Sequence, residues 1–231
     1  MDVLVNLLCK YKFERLNNKL EYPIVVHCVP GAGKSSCIRE LINADSRFVA
    51  YTFGEPDPPS LTGVRIESYR GVTVEGKFNV LDEYNLEQAD LSKFFVVFGD
   101  PIQANTIYTL RADFICRTSR RFGKCTAQFL RDLGYEVQAE GEDTVQQGGL
   151  YDVDPFDTIV YCEEEVGCLL RRHNLEARSA AEVIGKTFES VTFVTSRDSI
   201  PVNERAIYYQ CLTRHKKRLL VMSPNGTLTA T

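Results

Sequence analysis

The sequence of 231 residues has no long apolar run, since its longest purely hydrophobic stretch extends only from Phe94 to Phe98. A helix that crosses a bilayer needs about 20 mostly apolar residues, so we expect no membrane span. The short apolar N-terminus has Asp2 at its start and lacks a small-residue cleavage site, so we also expect no signal peptide. These absences argue against a membrane-spanning or exported protein.

Metal-binding cysteine pairs are also missing. None of the eight cysteines forms a C-x-x-C pair, and none of the three histidines lies near a spaced cysteine pair, so we expect no zinc site. Because most of the cysteines lie in apolar runs, the sequence favours reduced, buried thiols in a cytosolic protein.

An excess of basic charge is missing as well, since the formal net charge is −4. This balance argues against a protein that coats nucleic acid through bulk electrostatic attraction, but it is compatible with a local basic groove. Two basic clusters are candidates for such a groove, with a solvated charged face as the alternative for each. They are Arg111, Arg117, Arg120, Arg121 and Lys124 in mid-chain, and Arg214-His215-Lys216-Lys217-Arg218 near the end.

The composition, 44% hydrophobic and 25% charged, is that of an ordinary globular protein. Strand-like and helix-like runs alternate along the sequence. Many strand-like runs are continuously apolar and β-branched, as in a parallel sheet covered on both faces. The predicted strands are Ile24–Cys28, Phe48–Phe53, Phe78–Leu81, Phe95–Phe98, Phe114–Arg117, Thr158–Cys162, Val191–Val194 and Arg218–Met222. The predicted helices are Lys34–Ala44, Lys124–Gly134, Glu163–His173 and Val202–His215. This alternation predicts an α/β fold with parallel sheets flanked by helices.

Three further segments complete the predicted organisation. Leucines at helical spacing near the N-terminus predict a short helix with one apolar face, which packs on the first domain unless it serves self-association or contact with a membrane surface. Residues 54–60 are predicted to form a proline-stiffened loop, and residues 140–155 an acidic surface loop. A domain join near residues 110–113 divides the chain into predicted domains 1–112 and 113–231.

A glycine-rich segment, Cys28-Val29-Pro30-Gly31-Ala32-Gly33-Lys34-Ser35, lies between an apolar strand-like run and a helix-like run. Glycines let backbone N–H groups curl around an anion, and the helix N-terminus adds partial positive charge. Lys34 is placed to reach the β- and γ-phosphates of a nucleotide, and Ser35 to offer its hydroxyl to Mg²⁺. A chance glycine turn before a helix is the alternative, and Cys28 departs from the G-x-x-x-x-G-K-[ST] pattern. The predicted nucleotide-binding residues are Pro30, Gly31, Ala32, Gly33, Lys34, Ser35 and Ser36.

Polar residues follow two further apolar strands. Asp82 and Glu83 end the first, where Asp82 is predicted to hold Mg²⁺ and Glu83 to take the proton from an attacking water. Gln103 follows the second, after Gly99-Asp100-Pro101, and its amide is suited to a γ-phosphate or to the water. The alternatives are two acids at the start of a turn, and an Asp-Pro turn with an incidental glutamine.

Two arginines are candidates for stabilising charge on a transferred phosphoryl group. Arg121 follows a predicted strand, and Arg214 lies at the end of a predicted helix. If both belong to a second domain, they would meet the nucleotide only when the domains close. The alternative for each is a surface ion pair.

The order of these motifs resembles that of superfamily 1 viral RNA helicases, and more closely that of the first movement proteins of the triple gene block in potexviruses and carlaviruses. The resemblance extends over nearly the whole chain. In the fifth segment, Ile184 takes a place where many relatives have glutamine. The matching segments are, in motif order, Val29–Ser35, Leu81–Tyr84, Gly99–Gln103, Thr118–Arg121, Val183–Phe188 and Tyr208–Arg214.

The resemblance implies two RecA-like P-loop NTPase lobes, hydrolysis of ATP or another NTP with Mg²⁺, and binding of single-stranded viral RNA. It also implies movement of viral RNA between cells with two small membrane-associated partners, and suppression of RNA silencing through host factors. The implied location is the host cell cytoplasm, including plasmodesmata or cytoplasmic inclusions, and self-association is a further expectation. These roles come from the resemblance rather than from individual residues.

The leading interpretation is therefore an NTP-dependent RNA helicase or translocase that serves virus movement. A second is an RNA-binding scaffold and silencing suppressor whose NTP site is weakly active or structural, which the acidic net charge favours. A third is a small-molecule P-loop kinase, which does not explain Leu212-Thr213-Arg214-His215 at the end of the last predicted helix.

Overall fold

The computed structural model describes residues 1–103 and 109–230, and the chain divides into two compact units, Met1–Arg117 and Thr118–Thr231. We call them the first and the second unit. Each has its own mainly parallel sheet, which confirms the predicted α/β class. The division lies beyond the predicted boundary at residues 112 and 113, because Phe114–Cys116 pairs with Ile24–Cys28 in the first sheet.

The first unit contains a seven-stranded sheet. Its elements are α1 (Asp2–Lys10), β1 (Glu14–Arg15), β2 (Ile24–Cys28), α2 (Lys34–Ala44), β3 (Phe48–Thr52), β4 (Ile66–Ser68), β5 (Phe78–Asp82), a short 3₁₀ helix (Leu91–Lys93), β6 (Val96–Gly99) and β7 (Phe114–Cys116). The strand order is β1-β7-β2-β6-β5-β3-β4, and every pair is parallel except β1 with β7. All five residues of β2 are buried, so the strand that leads into the glycine-rich segment lies inside the sheet.

Helix α1 packs on α2 through its apolar face, as predicted, because Leu4, Leu7 and Leu8 are buried. At the end of α1, the Lys10 ammonium lies 2.5 Å from the Glu40 carboxylate of α2. The predicted packing on the first domain is therefore confirmed, and the alternatives of self-association or contact with a membrane surface are not needed to explain the apolar face.

The proline-stiffened segment 54–60 contains no helix or strand, as predicted. The Arg39 guanidinium of α2 donates to both oxygens of Asp57, with Nη2 to Oδ1 at 2.6 Å and Nε to Oδ2 at 3.1 Å. Asp57 in turn accepts the backbone N–H of Ile66 at 3.1 Å. This loop is thus tied both to the helix that follows the glycine-rich segment and to the edge strand β4.

The second unit contains a five-stranded sheet and two pairs of short strands, and all of its strand pairs are parallel. The order of the large sheet is β10-β15-β13-β11-β12, and the pairs are β8 with β9 and β14 with β16. The elements are β8 (Thr118–Gly123), α3 (Lys124–Asp132), β9 (Gln138–Gly141), β10 (Thr144–Gly149), β11 (Thr158–Tyr161), α4 (Glu164–Arg172), β12 (Ala177–Ser179), a 3₁₀ helix (Ala181–Val183), β13 (Phe188–Val194), β14 (Ser199–Ile200), a 3₁₀ helix (Val202–Glu204), α5 (Arg205–Leu212), β15 (His215–Ser223) and β16 (Thr229–Ala230).

Two predictions for the second unit were wrong. The predicted acidic loop 140–155 contains β10, which pairs with β15 and so joins the sheet. The predicted helix Val202–His215 is shorter, because α5 ends at Leu212 and a strand begins at His215. The basic run that starts at Arg214 therefore lies mainly on a strand rather than on a helix.

No helix in the described part of the chain is long and apolar enough to cross a membrane. All eight cysteines are unbridged, but three of them, Cys9, Cys125 and Cys168, are exposed. The prediction of buried thiols is therefore wrong for these three, which lie on the solvent-facing sides of their helices.

Candidate nucleotide-binding site

The loop between β2 and α2 has the geometry of a phosphate-binding turn. Gly31 and Gly33 have φ of 78° and 97°, in the left-handed region that favours glycine, and α2 begins at Lys34. Cys28, the last residue of β2, is buried, and burial raises the pKa of its thiol well above the usual range. It therefore serves as a small apolar residue where the motif usually has its first glycine, while the tight turn falls on the other two glycines.

The other predicted nucleotide-binding residues lie in the same loop and in the first turn of α2. Pro30 and Ala32 are buried, Ser35 is half-buried and Ser36 is exposed. A helix N-terminus of this kind attracts anions through its unpaired N–H groups and its dipole. The arrangement can hold the phosphates of a nucleotide while leaving the Ser35 hydroxyl accessible.

The Lys34 ammonium lies between two carboxylates at the carboxyl end of β5. Its Nζ is 2.7 Å from Oδ1 of Asp82 and 2.5 Å from Oε1 of Glu83. Burial lowers the pKa of Lys34, but the two carboxylates outweigh burial and raise it above its ordinary value. Burial also raises the pKa of Asp82, and Lys34 opposes that shift. The structure thus brings together three residues that the sequence predicts for catalysis and metal binding.

The two carboxylates differ in exposure and in backbone conformation. The Asp82 side chain is 7% exposed and that of Glu83 is 27% exposed, so solvent water reaches Glu83 more readily. Glu83 has a φ of 55°, a left-handed conformation that is costly for a residue with a side chain, and its N–H donates to Oδ1 of Asp82 at 3.0 Å. Strained backbone of this kind is concentrated at functional sites.

A third carboxylate, Asp100, is buried at the end of the neighbouring strand β6. Burial raises its pKa to about 7, although the backbone N–H of Ile102 donates to Oδ1 at 3.0 Å and opposes the shift. The Gln103 amide donates to Oδ2 at 3.0 Å, so this predicted catalytic residue is held beside Asp100. The sequence indicated only that Asp100 positions a turn, and its burial next to the charges of Lys34 and Glu83 was missed.

Nucleotide and Mg²⁺ are implied by the resemblance, and the residues present fit both. Three acidic side chains, Asp82, Glu83 and Asp100, share the site with one ammonium, so a divalent cation would offset an excess of acidic groups. In residues 1–103 and 109–230, no group of three or more His, Cys, Asp or Glu side chains is arranged to hold a metal ion by itself. Mg²⁺ at Ser35 and Asp82 would therefore take its remaining ligands from phosphate and water.

The two predicted catalytic arginines lie near one another in the second unit. Arg121, on β8, donates from Nη1 to the backbone oxygen of Thr213 at 3.0 Å. Arg214 is buried and donates from Nε to the backbone oxygen of Gln210 at 2.8 Å and from Nη2 to the Thr213 hydroxyl at 3.3 Å. Both guanidinium groups thus bind the short segment between α5 and β15.

The basic cluster near the end of the chain is partly neutralised on the second unit. Lys216 and Lys217 of β15 lie 3.1 and 2.9 Å from the Glu189 carboxylate of β13. Arg218 lies over the Phe156 ring, 4.2 Å from its centroid. Ile184, in the fifth motif, is exposed. These contacts favour a charged, ion-paired face for this cluster more than a wide basic groove.

A family model described as the viral superfamily 1 RNA helicase core domain matches residues 24–223. The match includes β2, the glycine-rich loop, both carboxylate-bearing strand ends and Arg214. It also ends at the last residue of β15, so it covers both units.

Relatives with a full-length match are named movement and silencing protein TGBp1. The protein from Chrysanthemum virus B is 53% identical over 231 residues, with all of both chains covered. The protein from Lily symptomless virus is 54% identical over 230 residues, again with 100% of each chain covered. These matches agree with the resemblance that the motif order indicates.

Among solved structures, the arterivirus nonstructural protein 10 helicase in complex with DNA matches with a TM-score of 0.54 and 15% identity. The match covers 95% of this chain and 57% of that helicase, so this chain spans somewhat over half of the larger protein. At this identity the likeness concerns the fold alone. It supports the assignment of the two units as RecA-like lobes.

Proposed function

The chain belongs to the movement and silencing proteins named TGBp1 and contains a viral superfamily 1 RNA helicase core domain, and on that basis we propose that it is an NTP-driven RNA helicase or translocase serving virus movement. The observation that carries the proposal is the pairing of Lys34, at the start of α2, with Asp82 and Glu83 at the end of β5. This pairing supports the proposal, because it brings the proposed nucleotide-binding loop, metal ligand and base together.

The proposed roles follow from the chemistry of each group in the first unit. The backbone N–H groups of Gly31 to Gly33 bind phosphate oxygens, and Lys34 exchanges a carboxylate partner for the β- and γ-phosphates. Ser35 and Asp82 would hold Mg²⁺, which would supply positive charge to the phosphates. Glu83 accepts the proton of the attacking water, and Gln103 orients that water or the γ-phosphate.

Arg121 and Arg214 are proposed to stabilise the negative charge that develops on the transferred phosphoryl group. Their shared attachment to Thr213 supports this proposal, because one segment then fixes both guanidinium groups. A release of Arg214 from its internal hydrogen bonds would be part of this role, since its side chain is buried in the described conformation.

Partners and place of action are also proposals that rest on the family. They are single-stranded viral RNA, ATP or another NTP, two small membrane-associated proteins of the triple gene block and host silencing factors. The proposed location is the host cytoplasm, at plasmodesmata or in cytoplasmic inclusions.

The first test is the variant Lys34→Ala. We expect NTP hydrolysis to fall by about 10²-fold or more, because a preorganised charge on the phosphates is lost. Phosphate release is measured with and without single-stranded RNA, and Lys77→Ala, an exposed lysine that binds the Ser46 carbonyl, is the control. Because Lys34→Ala leaves two acidic groups without their cation, Glu83→Gln is measured beside it. If both variants hydrolyse NTP as fast as the wild type, the proposed roles of Lys34 and Glu83 are wrong.

A binding scaffold with weak NTPase activity is the second candidate. It is favoured by the net charge of −4 and by the ion pairs that Glu189 makes with Lys216 and Lys217, which reduce the basic surface available to RNA. Duplex unwinding measured alongside RNA-stimulated phosphate release separates the two. Stimulation without unwinding favours the scaffold, and both together favour the motor.

A further inference from the structure

We propose that the Tyr84 hydroxyl and the His27 imidazole form a buried clasp that positions Glu83 for hydrolysis, so that both are positioning residues for the reaction. The inference rests on the proposed NTPase function. Tyr84 is the last residue of the second matching segment, but neither its side chain nor that of His27 has a role in the chemistry described above, and the two residues lie far apart in sequence.

The first observation is the contact itself. The Tyr84 hydroxyl lies 2.8 Å from Nε2 of His27, and the planes of the two rings are nearly parallel, at 8°, with centroids 6.0 Å apart. Both side chains are buried. The clasp therefore joins β2, which leads into the phosphate-binding loop, to the turn that follows the carboxylates of β5.

The second observation concerns the other partner of the Tyr84 hydroxyl. The backbone N–H of Leu110 donates to the Tyr84 hydroxyl at 3.2 Å. The hydroxyl oxygen thus accepts one hydrogen bond, and its own proton is available for Nε2 of a neutral His27. Burial lowers the pKa of His27, which favours the neutral ring that can accept this proton.

The third observation is that the turn after Glu83 has little room to move. The Tyr84 N–H donates to the Phe98 carbonyl at 3.1 Å, and the Asn85 amide donates to the Asp100 carbonyl at 2.7 Å. A Cβ on Gly99 would lie 2.8 Å from the Tyr84 ring, so the ring occupies space that only glycine leaves open. Glu83 joins Asp82 to this turn, so the fixed turn also limits the movement of Glu83.

Together these contacts explain how the left-handed conformation of Glu83 is maintained. A residue with a φ of 55° costs free energy that surrounding contacts must offset. The residue that follows it is fixed at its backbone, its ring and its hydroxyl. Loss of the hydroxyl contact would let the turn relax, and small displacements of a catalytic group reduce the rate without reducing substrate binding.

The test is Tyr84→Phe in the full chain, which removes one hydroxyl and keeps the ring. We expect kcat for NTP hydrolysis to fall about tenfold while KM changes less than about twofold. The matched control is Tyr135→Phe, because that buried tyrosine also donates one hydrogen bond, to the Arg205 carbonyl at 2.8 Å in the second unit. Both variants should lose similar thermal stability, but only Tyr84→Phe should lose kcat.

A double-variant cycle tests whether Tyr84 acts through Glu83. In the Glu83→Gln background, adding Tyr84→Phe should lower the residual kcat no further, because the group being positioned is already lost. His27→Leu, which removes the acceptor, should lower kcat by about the same factor as Tyr84→Phe, and the two together should lower it no more than either alone.

Three results would overturn the clasp. One is a Tyr84→Phe variant with the kcat of the wild type, and another is a full additional loss of kcat in the Glu83→Gln background. Either result leaves the proposed NTPase function standing, because the wild type still hydrolyses NTP. The third, a wild-type chain that hydrolyses no NTP, would overturn both proposals.

Discussion

A buried carboxylate with a raised pKa makes the free energy of unfolding depend on pH, and Asp100 is such a group. Its pKa is about 7 in the folded protein, whereas an unfolded aspartate has a pKa of about 4. Between these two values the folded chain holds a proton that the unfolded chain has released. The stabilising contribution of Asp100 to the free energy of unfolding is therefore fully present below about pH 4 and is lost as the pH rises through about 7.

Asp100→Asn should remove this dependence. The Asn side chain can still accept the Ile102 N–H, and Gln103 can turn its amide oxygen toward the new NH₂ group. We expect the variant to gain stability relative to the wild type as the pH rises from about 4.5 to 7, measured by urea unfolding without Mg²⁺ or nucleotide.

The control for this measurement is Asp90→Asn. Hydrogen bonds from Ser92 lower the pKa of Asp90, so its contribution is present above about pH 4 and is lost only as the pH falls below that value. If the free energies of unfolding of Asp100→Asn and the wild type change by the same amount between pH 4.5 and 7, the raised pKa of Asp100 is contradicted.

At the same scale, the site was predictable where one local pattern carries the chemistry. Lys34 and Ser35 follow glycines, and Asp82 and Glu83 follow an apolar strand, so spacing alone indicates them. The clasp was not predictable in this way, because His27 and Tyr84 meet only when β2 and β5 take their places on either side of β6. Contacts across strands depend on strand order, which periodicity does not specify.

At the scale of elements, the start of α3 depends on a side chain from outside the helix. The residue before α3 is Gly123, which has no side chain to cap it. Oδ1 of Asp143, from the turn between β9 and β10, accepts the N–H groups of Cys125 and Thr126 at 2.9 and 3.3 Å. Burial would raise the pKa of Asp143, but the nearby His215 ring, whose Nε2 lies 3.6 Å from Oδ2, and the hydrogen bonds from Thr126 outweigh burial and lower it to about 2.

Asp143→Ala should therefore destabilise the protein by about 1–2 kcal/mol at pH 7, the usual cost of losing a helix N-cap. Because the pKa of Asp143 is lowered in the folded protein, the difference in stability between Asp143→Ala and the wild type should become smaller as the pH falls from about 4 toward 2. Thermal unfolding followed by circular dichroism measures the effect. The neighbouring acid in Glu142→Ala serves as the control, since its exposed ion pair with Lys124 contributes little. Equal losses in both variants would argue against the cap.

Helices and strands were predictable where their sequence pattern is apolar, and the prediction failed where the pattern is polar. Strand β2 and helix α2 have the predicted bounds, because Ile24–Cys28 is wholly buried and glycine fixes the helix start. Strand β10, Thr144–Gly149, is rich in Gln and Gly and lies at the edge of its sheet, so no apolar alternation marks it. Its pairing with β15 overrides the weak local signal.

For the molecule as a whole, the division into two units predicts that a bound nucleotide stabilises mainly the first unit, which contains the glycine-rich loop. A ligand that binds only the folded state stabilises it by about 2.7 kcal/mol at 100 times its Kd. With a non-hydrolysable NTP analogue and Mg²⁺, we expect slower amide hydrogen exchange in residues 28–36 and 80–85 of the first unit. Mass spectrometry of peptides from each unit measures this directly.

The same measurement examines the arginines of the second unit. Protection of peptides that contain Thr213 and Arg214 would support their proposed role in hydrolysis. Exchange that slows in β13 and β11 but not in the first unit would contradict the placement of the nucleotide at the glycine-rich loop. The Lys34→Ala variant serves as the control, because it should lose the protection of residues 28–36.

The strand order of the second unit also matters for how the chain is made. Strand β15 is inserted between β10 and β13, although it is synthesised after both. While the ribosome is still making residues beyond 194, β10 has no neighbour in that sheet and β13 has one bare edge, a state in which polypeptides readily aggregate. A frameshift or stop codon upstream of His215 would leave both strands in that condition permanently, so such a truncated product should be found in inclusion bodies or degraded.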